Sequence, residues 1–234
     1  MTQNPTLAPA LAPDLSRPSV SGLSLRAQSF AAILGRADGE EALGKAAGED
    51  ALPKAMRRRM TAFDAGVARC VAGLAAPDVD EVIVFASRFG NMGVTLDLLV
   101  QLIQPETLSP AKFTVSVHNA AAGTASQILR NRAGHTAVAA GMKSLKAGLT
   151  EAWARIATGS PSVLLVYSDF PLMSPYEEFD EPGAAVQLAV RLCLFHARAV
   201  ARAAAGFAVE DGRAGAQGLV RALQLGAEAV SWRV

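Results

Sequence analysis

The sequence predicts an α/β layered domain, and three observations carry the prediction. Two continuously apolar runs, Glu81–Ser87 ("EVIVFAS") and Val163–Asp169 ("VLLVYSD"), have the composition of strands buried on both faces. Pro53–Ala75, ahead of both, has apolar residues that recur at three- and four-residue steps, the mark of an amphipathic helix, and Val94–Gln104 between them is a second such helix. Strands alternating with helices pack as a sheet layered with helices. The 234 residues suffice for one core, so residues 18–234 are expected to form one domain behind a flexible Pro- and Ala-bearing tail at 1–17.

Taken in order, Ser19–Leu25 is the first expected strand, and Glu40–Ala47 reads as helical. Pro53–Ala75 reads as one longer helix. Pro53 suits a first turn, and Met56, Met60, Phe63, Val67, Val71 and Leu74 make one stripe. The basic run Lys54–Arg59 is then a solvated first turn. Val94–Gln104 is an amphipathic helix closed by Pro105, and Leu108–Pro110 makes a turn. Ala120–Arg130 is a helix, His135–Ala140 a short strand flanked by glycines, and Lys143–Thr158 a helix ended at Gly159–Pro161. Phe170–Gly183 is a loop rich in Pro and acid, and Ala185–His196 is apolar enough for a strand. Residues 206–218 hold four glycines and read as a loop before a final helix or strand. The expected sheet is mixed and mainly buried. Its strands are Glu81–Ser87, His135–Ala140, Val163–Tyr167 and Ala185–Phe195, with Ala120–Arg130 and Lys143–Thr158 packed on it.

Composition narrows the function. A net charge of +1 argues against a dedicated nucleic-acid binder, which carries a basic stripe. Cys70 and Cys193 form no C-x-x-C pair, so neither a disulfide framework nor a zinc site is expected. His118, His135 and His196 lack metal-ligand spacing. Arg88–Gly93 ("RFGNMG") lacks the glycine spacing or the lysine of a nucleotide phosphate loop. No cofactor or metal is expected. The N-terminus is a poor signal peptide, and no apolar run approaches the ~20 residues of a membrane helix, so a cytoplasmic location is expected.

Phe113–Gly123 ("FTVSVHNAAAG"), the continuation "TASQILRNRAGHTAVAAGMKSLKAGLTEAWARIATGSPSVLLVYSD" and the preceding "SRFGNMGVTLDLLVQL" carry a resemblance. Together they resemble the N-terminal half of a β-ketoacyl synthase, the thiolase-fold condensing enzyme of fatty-acid and polyketide assembly. Short chain-length-factor-like members associated with aryl polyene clusters are the nearest in pattern. The resemblance covers roughly Ser19 to Arg198 and implies half of a thiolase-like fold. It implies that Asn119, Ala122 and Gly123 form the turn opening a helix, and that a later strand and elbow carry the family's nucleophilic cysteine. Counting from Gly123, or back from Gly159–Val163, puts that cysteine position at Met142. Overlaying Thr136–Gly141 on the family's threonine-alanine-cysteine motif puts it at Val138 instead. Neither residue is a nucleophile, since a thioether has no proton to lose. Gly141 is the candidate elbow glycine, needed either for a strained backbone or for close packing. Ser144 is the candidate substitute nucleophile, with a polar first-turn residue as the plainer role. The family's two catalytic histidines belong to a second half that the resemblance does not reach, and none of the three histidines matches them.

Three functions stay open at this point. The first is a non-catalytic chain-length-factor-like subunit paired with a ketosynthase or a second copy. The second is a module binding an acyl chain or an acyl carrier protein. The third is a divergent acyl-transfer or hydrolytic enzyme. The resemblance also implies an apolar face without its usual cover. Either a partner meets that face, with His135–Gly141 near the interface, or residues after Arg198, ending "AVSWRV", fold back over it.

Overall fold

Side-chain alternation sorts the core into two layers around one sheet. The computed structural model describes residues 23–76, 79–104, 107–194 and 206–233. Its elements run β1 (Leu23–Arg36), β2 (Gly39–Gly44), α1 (Lys54–Arg57), α2 (Ala62–Gly73), β3 (Val82–Ala86), α3 (Met92–Leu102), α4 (Pro110–Ser116) and α5 (Ala120–Leu129). They continue through β4 (His135–Val138), α6 (Ser144–Ala157), β5 (Val163–Asp169), β6 (Val186–Cys193), β7 (Gly206–Ala208), α7 (Gly212–Gln224) and β8 (Ala229–Trp232). Among the described residues the eight strands form one sheet, in the order β4-β3-β5-β6-β1-β8-β7, with β2 paired to β1. β3 runs parallel to β4 and β5, and antiparallel pairs join β5 to β6, β6 to β1 and β1 to β8. The expected mixed, buried sheet is present, with all four expected strands in it.

Successive residues of a strand face opposite layers. Ile83 and Phe85 of β3 and Leu164 and Val166 of β5 pack with Phe63, Val67 and Ala122 from α2 and α5. Val84, Ala86, Leu165 and Tyr167 pack on the other side with Leu145, Leu149, Val220 and Trp232, from α6, α7 and β8. α6 lies tight on the sheet: a Cβ at Gly148 would fall 2.8 Å from the Ala86 Cβ and 2.9 Å from Leu165. Of the two expectations for the open face, the fold-back is the one seen. α7 packs on β6 and β1, β8 pairs with β1, and Trp232 is buried.

Several expected elements change character. Glu40–Ala47 is not a helix; Gly39–Gly44 is a strand in a hairpin with β1. The Asp38–Gly39 dipeptide is the hairpin signal that marks it, with Gly39 at φ +144°. β1 runs far past Leu25, because it pairs with β6, β8 and β2 along its length; Ser19–Gly22 lie outside the described residues. Pro53–Ala75 is broken into α1 and α2. Thr61 accepts a hydrogen bond from the Asp64 amide (3.2 Å) and donates to its carboxylate (2.7 Å), a reciprocal cap that starts α2 afresh. The stripe nonetheless holds from Phe63 to Leu74, all four members being buried. Leu108–Pro110 leads into a helix rather than a bare turn: Ser109 caps the Lys112 amide and Pro110 fills the first turn. Residues 206–218 contain β7 and the start of α7, not a loop. Ala216, Leu219, Val220 and Leu223 make the buried helical stripe, and Gly215 and Gly218 let it approach Glu210 and Phe207. The strand beginning at His135 ends at Val138. The strand expected over Ala185–His196 spans Val186–Cys193; Phe195 and His196 lie outside the described residues.

Candidate functional site at the strand-to-helix elbow

β4 leaves the sheet at Val138, passes through Ala139 and Ala140, and enters a single 3-10 turn, Gly141–Lys143, that feeds α6. Gly141 has φ +55°, a left-handed conformation that glycine adopts without strain. A Cβ there would meet nothing within 4 Å, so backbone conformation and not packing accounts for the glycine. Ser144 is fully buried. Its hydroxyl accepts from the Ala140 amide (2.9 Å) and donates to the Gly141 carbonyl (2.7 Å). Those bonds pin the turn and commit the hydroxyl proton to a backbone oxygen, which suits a structural role better than a nucleophilic one. Met142 lies at the strand-to-helix junction and is 43% exposed. Val138, the last residue of β4, packs against the α6 layer.

What faces Met142 is a buried charge cluster. Arg88, from the exit of β3, places its Nη1 3.4 Å from the Met142 thioether sulfur. Arg88 also donates from Nε to Asp169 (2.6 Å) at the end of β5 and from Nη2 to Asp180 (2.7 Å), with Glu181 3.4 Å from Nη1. Tyr167 donates to the same Asp169 oxygen at 3.0 Å. Arg213, in the first turn of α7, donates to Asp180 (2.9 Å) and to the Glu181 carbonyl, and its amide donates to the Glu181 carboxylate (2.5 Å). Side chains of Arg88, Asp169, Asp180 and Arg213 are all at most 5% exposed. A Cβ added at Gly212 would touch both the Glu181 carboxylate and the Met142 methyl, so the three crowd one spot.

The cluster ties the Phe170–Gly183 segment down over the elbow as a strap. Asp180 also accepts the Leu172 amide (2.8 Å). Burial alone would raise the Asp180 carboxyl, but the Leu172 amide, Arg213 and Arg88 outweigh it and hold the carboxyl below its usual range. Asp169 goes the other way: burial pushes its carboxyl up despite Arg88 and Tyr167. Burial, then the Asp169 charge, pushes the Tyr167 hydroxyl up as well, keeping it a donor. Burial opposes the Arg88 charge, and the contacts to Asp169 and Asp180 more than restore it.

The structure thus brings Gly141, Met142 and Ser144 together and leaves the other candidates apart. Asn119 precedes α5, in the layer on the opposite face from α6, and makes no side-chain cap there. Gly123 has open space where a Cβ would go. His118 Nε2 bonds the Ser87 carbonyl (3.0 Å) and packs edge-on to Phe85; the His135 ring contacts the Ser126 hydroxyl (3.3 Å). Cys70 is buried and its thiol is pushed up to about 12 by desolvation. Among the described residues no cluster of His, Cys, Asp or Glu suits a metal, and no helix is long and apolar enough to cross a membrane. Sequence reasoning missed Arg88, Asp169, Asp180 and Arg213. For Arg88 and Asp169 the available signal was a charged residue at the carboxyl end of a buried parallel strand, β3 and β5, where α/β sheets build their sites; Asp180 and Arg213 carried no such signal.

A second feature lies alongside. Thr61, Phe63, Asn91, Val94, Phe170 and Met173 line a mainly apolar cavity of about 250 Å³. At its floor the Asn91 amide bridges the Thr61 hydroxyl (2.9 Å) and the Asp64 carboxylate (3.1 Å).

Comparison with known proteins places this geometry. Residues 36–225 match the family model described as β-ketoacyl synthase, N-terminal domain. No curated protein sequence matches the chain. Among solved structures it is similar to the ketosynthase ApeO in complex with its chain length factor ApeC from Xenorhabdus doucetiae. That match has 23% identity and a TM-score of 0.64, covering 75% of this chain and 81% of that one. It is also similar to the ishigamide ketosynthase/chain length factor (14%, TM-score 0.54, covering 76% and 63%). A third likeness is to a β-ketoacyl synthase from Burkholderia phymatum (12%, TM-score 0.53, covering 78% and 61%). In the last two the chain spans less than two thirds of the other's length. With its layered mixed sheet and its elbow between β4 and α6, the chain belongs to the β-ketoacyl synthase N-terminal domain family.

Proposed function

We propose that this chain is a non-catalytic, chain-length-factor-like subunit. Residues 18–234 act as one domain that pairs with a condensing ketosynthase in a polyketide-type system of the aryl polyene class. The observation that carries the reading is Met142 at the elbow with the Arg88 guanidinium against its sulfur. Condensation requires a thiolate that is acylated, attacked and released. A thioether offers no such atom. Arg88 is committed to Asp169 and Asp180, so it is not free to hold an acyl oxyanion. Ser144 spends its hydroxyl on the turn.

The solved relatives support a paired arrangement, since two of them are ketosynthases described with a chain length factor. By family likeness the elbow strand His135–Gly141 lies near the partner. An acyl carrier protein is a further expected partner, visiting the pair rather than this chain alone. The experiment is co-expression with the ketosynthase encoded nearest to it in its own genome, followed by affinity purification through a tag on one chain. The expected result is a stable pair that condenses acyl- and malonyl-carrier substrates, with neither step performed by this chain alone. Condensation by this chain in isolation would overturn the reading.

A further inference from the structure

α3 has two unlike sides. Its outer side and α4 form an exposed apolar ledge of Leu99, Leu102, Ile103, Phe113 and Val117. Its first turn closes the cavity of about 250 Å³ beside α2 and the strap. Phe63 of α2 and Phe170 of the strap set two tilted rings, 5.5 Å apart, in the cavity wall. Both rings belong to the layer of α2 and α5, so the cavity lies across the sheet from α6. Met173, half-exposed, forms its outer rim. Gly93 keeps the space open, because a Cβ there would lie 3.1 Å from the Met173 methyl.

Hydrogen-bond accounting decides what such a cavity takes. The Thr61 hydroxyl is fully used. It donates to the Asp64 carboxylate (2.7 Å) and accepts from the Asp64 amide (3.2 Å) and the Asn91 side chain (2.9 Å). Asn91 sends its NH₂ group to Thr61 and to the Asp64 carboxylate (3.1 Å). That orientation is fixed, since an amide oxygen in the same place would face two oxygens with no proton to give it. The Asn91 Oδ1 is therefore turned the other way, 3.8 Å from where a Gly93 Cβ would sit in the cavity wall. Asn91 is only 7% exposed, and among the described residues nothing donates to this oxygen. Asn91 is also the N-cap residue of α3, yet its side chain caps no amide. The first-turn amides of Gly93 and Val94, in the same wall, keep the donors that a helix start leaves open.

A buried acceptor and uncapped donors thus meet inside an apolar space. A hydroxyl suits both at once, because it donates one hydrogen bond and also accepts. Charge excludes the ions: the positive end of α3 opposes a cation, and Asn91 Oδ1 with Asp64 behind it opposes a carboxylate. A dry apolar cavity of ~150 Å³ takes a benzene-sized molecule. This larger one takes a ring with a short substituent. We infer that the cavity binds a small neutral alcohol, whose hydroxyl donates to Asn91 Oδ1 and accepts from the start of α3, with its apolar body between Phe63, Phe170 and Met173. A thioester has no proton to donate and would leave Asn91 unpaired, so the site differs from the elbow in chemistry as well as in place. The inference does not depend on the partner reading above.

The test titrates protein carrying isotope-labelled methionine methyls with benzyl alcohol, toluene, benzoate and benzylamine, which share one ring and differ in the polar group. Met92 and Met173 in the cavity wall report binding by nuclear magnetic resonance, and Met142 at the elbow is the reference. Benzyl alcohol should shift the Met92 and Met173 methyls and leave Met142 in place. Benzoate and benzylamine should bind about tenfold more weakly, since neither pairs both sets of groups. Asn91→Leu should weaken benzyl alcohol about tenfold while toluene keeps its affinity. Gly93→Leu, which fills the space against the flexible end of Met173, should abolish both. Circular dichroism and thermal melts confirm that each variant is folded, and the wild-type ranking of the probes decides if Asn91→Leu is not. Toluene bound without benzyl alcohol, or a folded Asn91→Leu that treats the two alike, overturns the assignment of the hydroxyl. Benzoate or benzylamine bound as well as benzyl alcohol overturns the choice of a neutral ligand. Methyls that respond to none of the probes overturn the site.

Discussion

The elbow end of the sheet and the α3–α4 ledge treat their side chains in opposite ways. At the elbow, charged groups are buried and matched: Arg88 and Arg213 against Asp169, Asp180 and Glu181, with Met142 closing over Arg88. At the ledge, apolar groups from Leu99 to Val117 are exposed among the described residues. A catalytic elbow needs a reactive group left unsatisfied and open to substrate, whereas a docking surface needs apolar area left in water until a partner arrives. At the first place every carboxylate of the cluster has an arginine beside it, and the buried Arg213 Nε alone in the cluster lacks a hydrogen-bond partner among the described residues; at the second the apolar side chains face solvent. The difference teaches that the elbow is closed by more than the Met142 side chain, because Arg88 and Arg213 fasten the Phe170–Gly183 strap beside it.

The sharpest way to break the comparison is to unbalance the elbow. Arg88→Ala leaves Asp169 buried without its paired cation and Asp180 with Arg213 alone, and removing one partner of a buried pair costs about 3–5 kcal/mol. Urea unfolding should show a loss of that size. Arg88→Met combined with Asp169→Asn should recover much of it, since the desolvated charge goes with its partner. A loss within surface-substitution range for Arg88→Ala would mean that the cluster does not hold the strap.

Next in size is the turn itself. Gly141→Ala places a side chain at φ +55° and should cost about 1–2 kcal/mol in the same unfolding measurement. Because no atom crowds the position, a larger residue such as Ser should cost no more than Ala. A steep dependence on side-chain size would show packing instead of conformation.

Acid separates the two carboxylates of the cluster. Asp180 has a depressed carboxyl pKa, so its stabilising contribution is complete above its unfolded value, about 3.9, and is lost as pH falls through the folded value. Asp169 has the opposite sign: its contribution is greatest at low pH and declines as pH rises through its raised folded value. The strap should therefore hold through mildly acidic conditions and release only below the ordinary aspartate range. Protease cleavage within Phe170–Gly183, followed against pH, reads this directly. Release near neutral pH would contradict it.

The smallest expected effect on stability is at the ledge. Ile103→Glu should change unfolding free energy by no more than about 0.5 kcal/mol, as exposed positions do, despite removing a large apolar group. A strong destabilisation would show that the ledge packs within the chain.

How much of this was legible in the sequence follows from what each signal depends on. β3 and β5 are readable because burial on both faces leaves an uninterrupted apolar run, and α5 and α6 because their stripes face the sheet. Gly141 and Met142 were readable through resemblance, since the turn between β4 and α6 keeps its place in the motif. β2 was hidden because Glu40 and Glu41 look helical until Asp38–Gly39 is weighed as a hairpin turn. α7 was hidden by its glycines, whose close contacts are set by residues distant in sequence or by the preceding turn. Asp180 and Arg213 were out of reach for a similar reason: they lie 92 and 125 positions beyond Arg88 and join it only through the topology.

The central claim is that this chain serves condensation without carrying the acyl group. Intact-mass spectrometry after incubating the ketosynthase pair with an acyl-carrier thioester tests it most directly. The account predicts acyl mass on the ketosynthase alone, with this chain unmodified both in the pair and in isolation. An acyl adduct on this chain that turns over when malonyl-carrier substrate is added would contradict it.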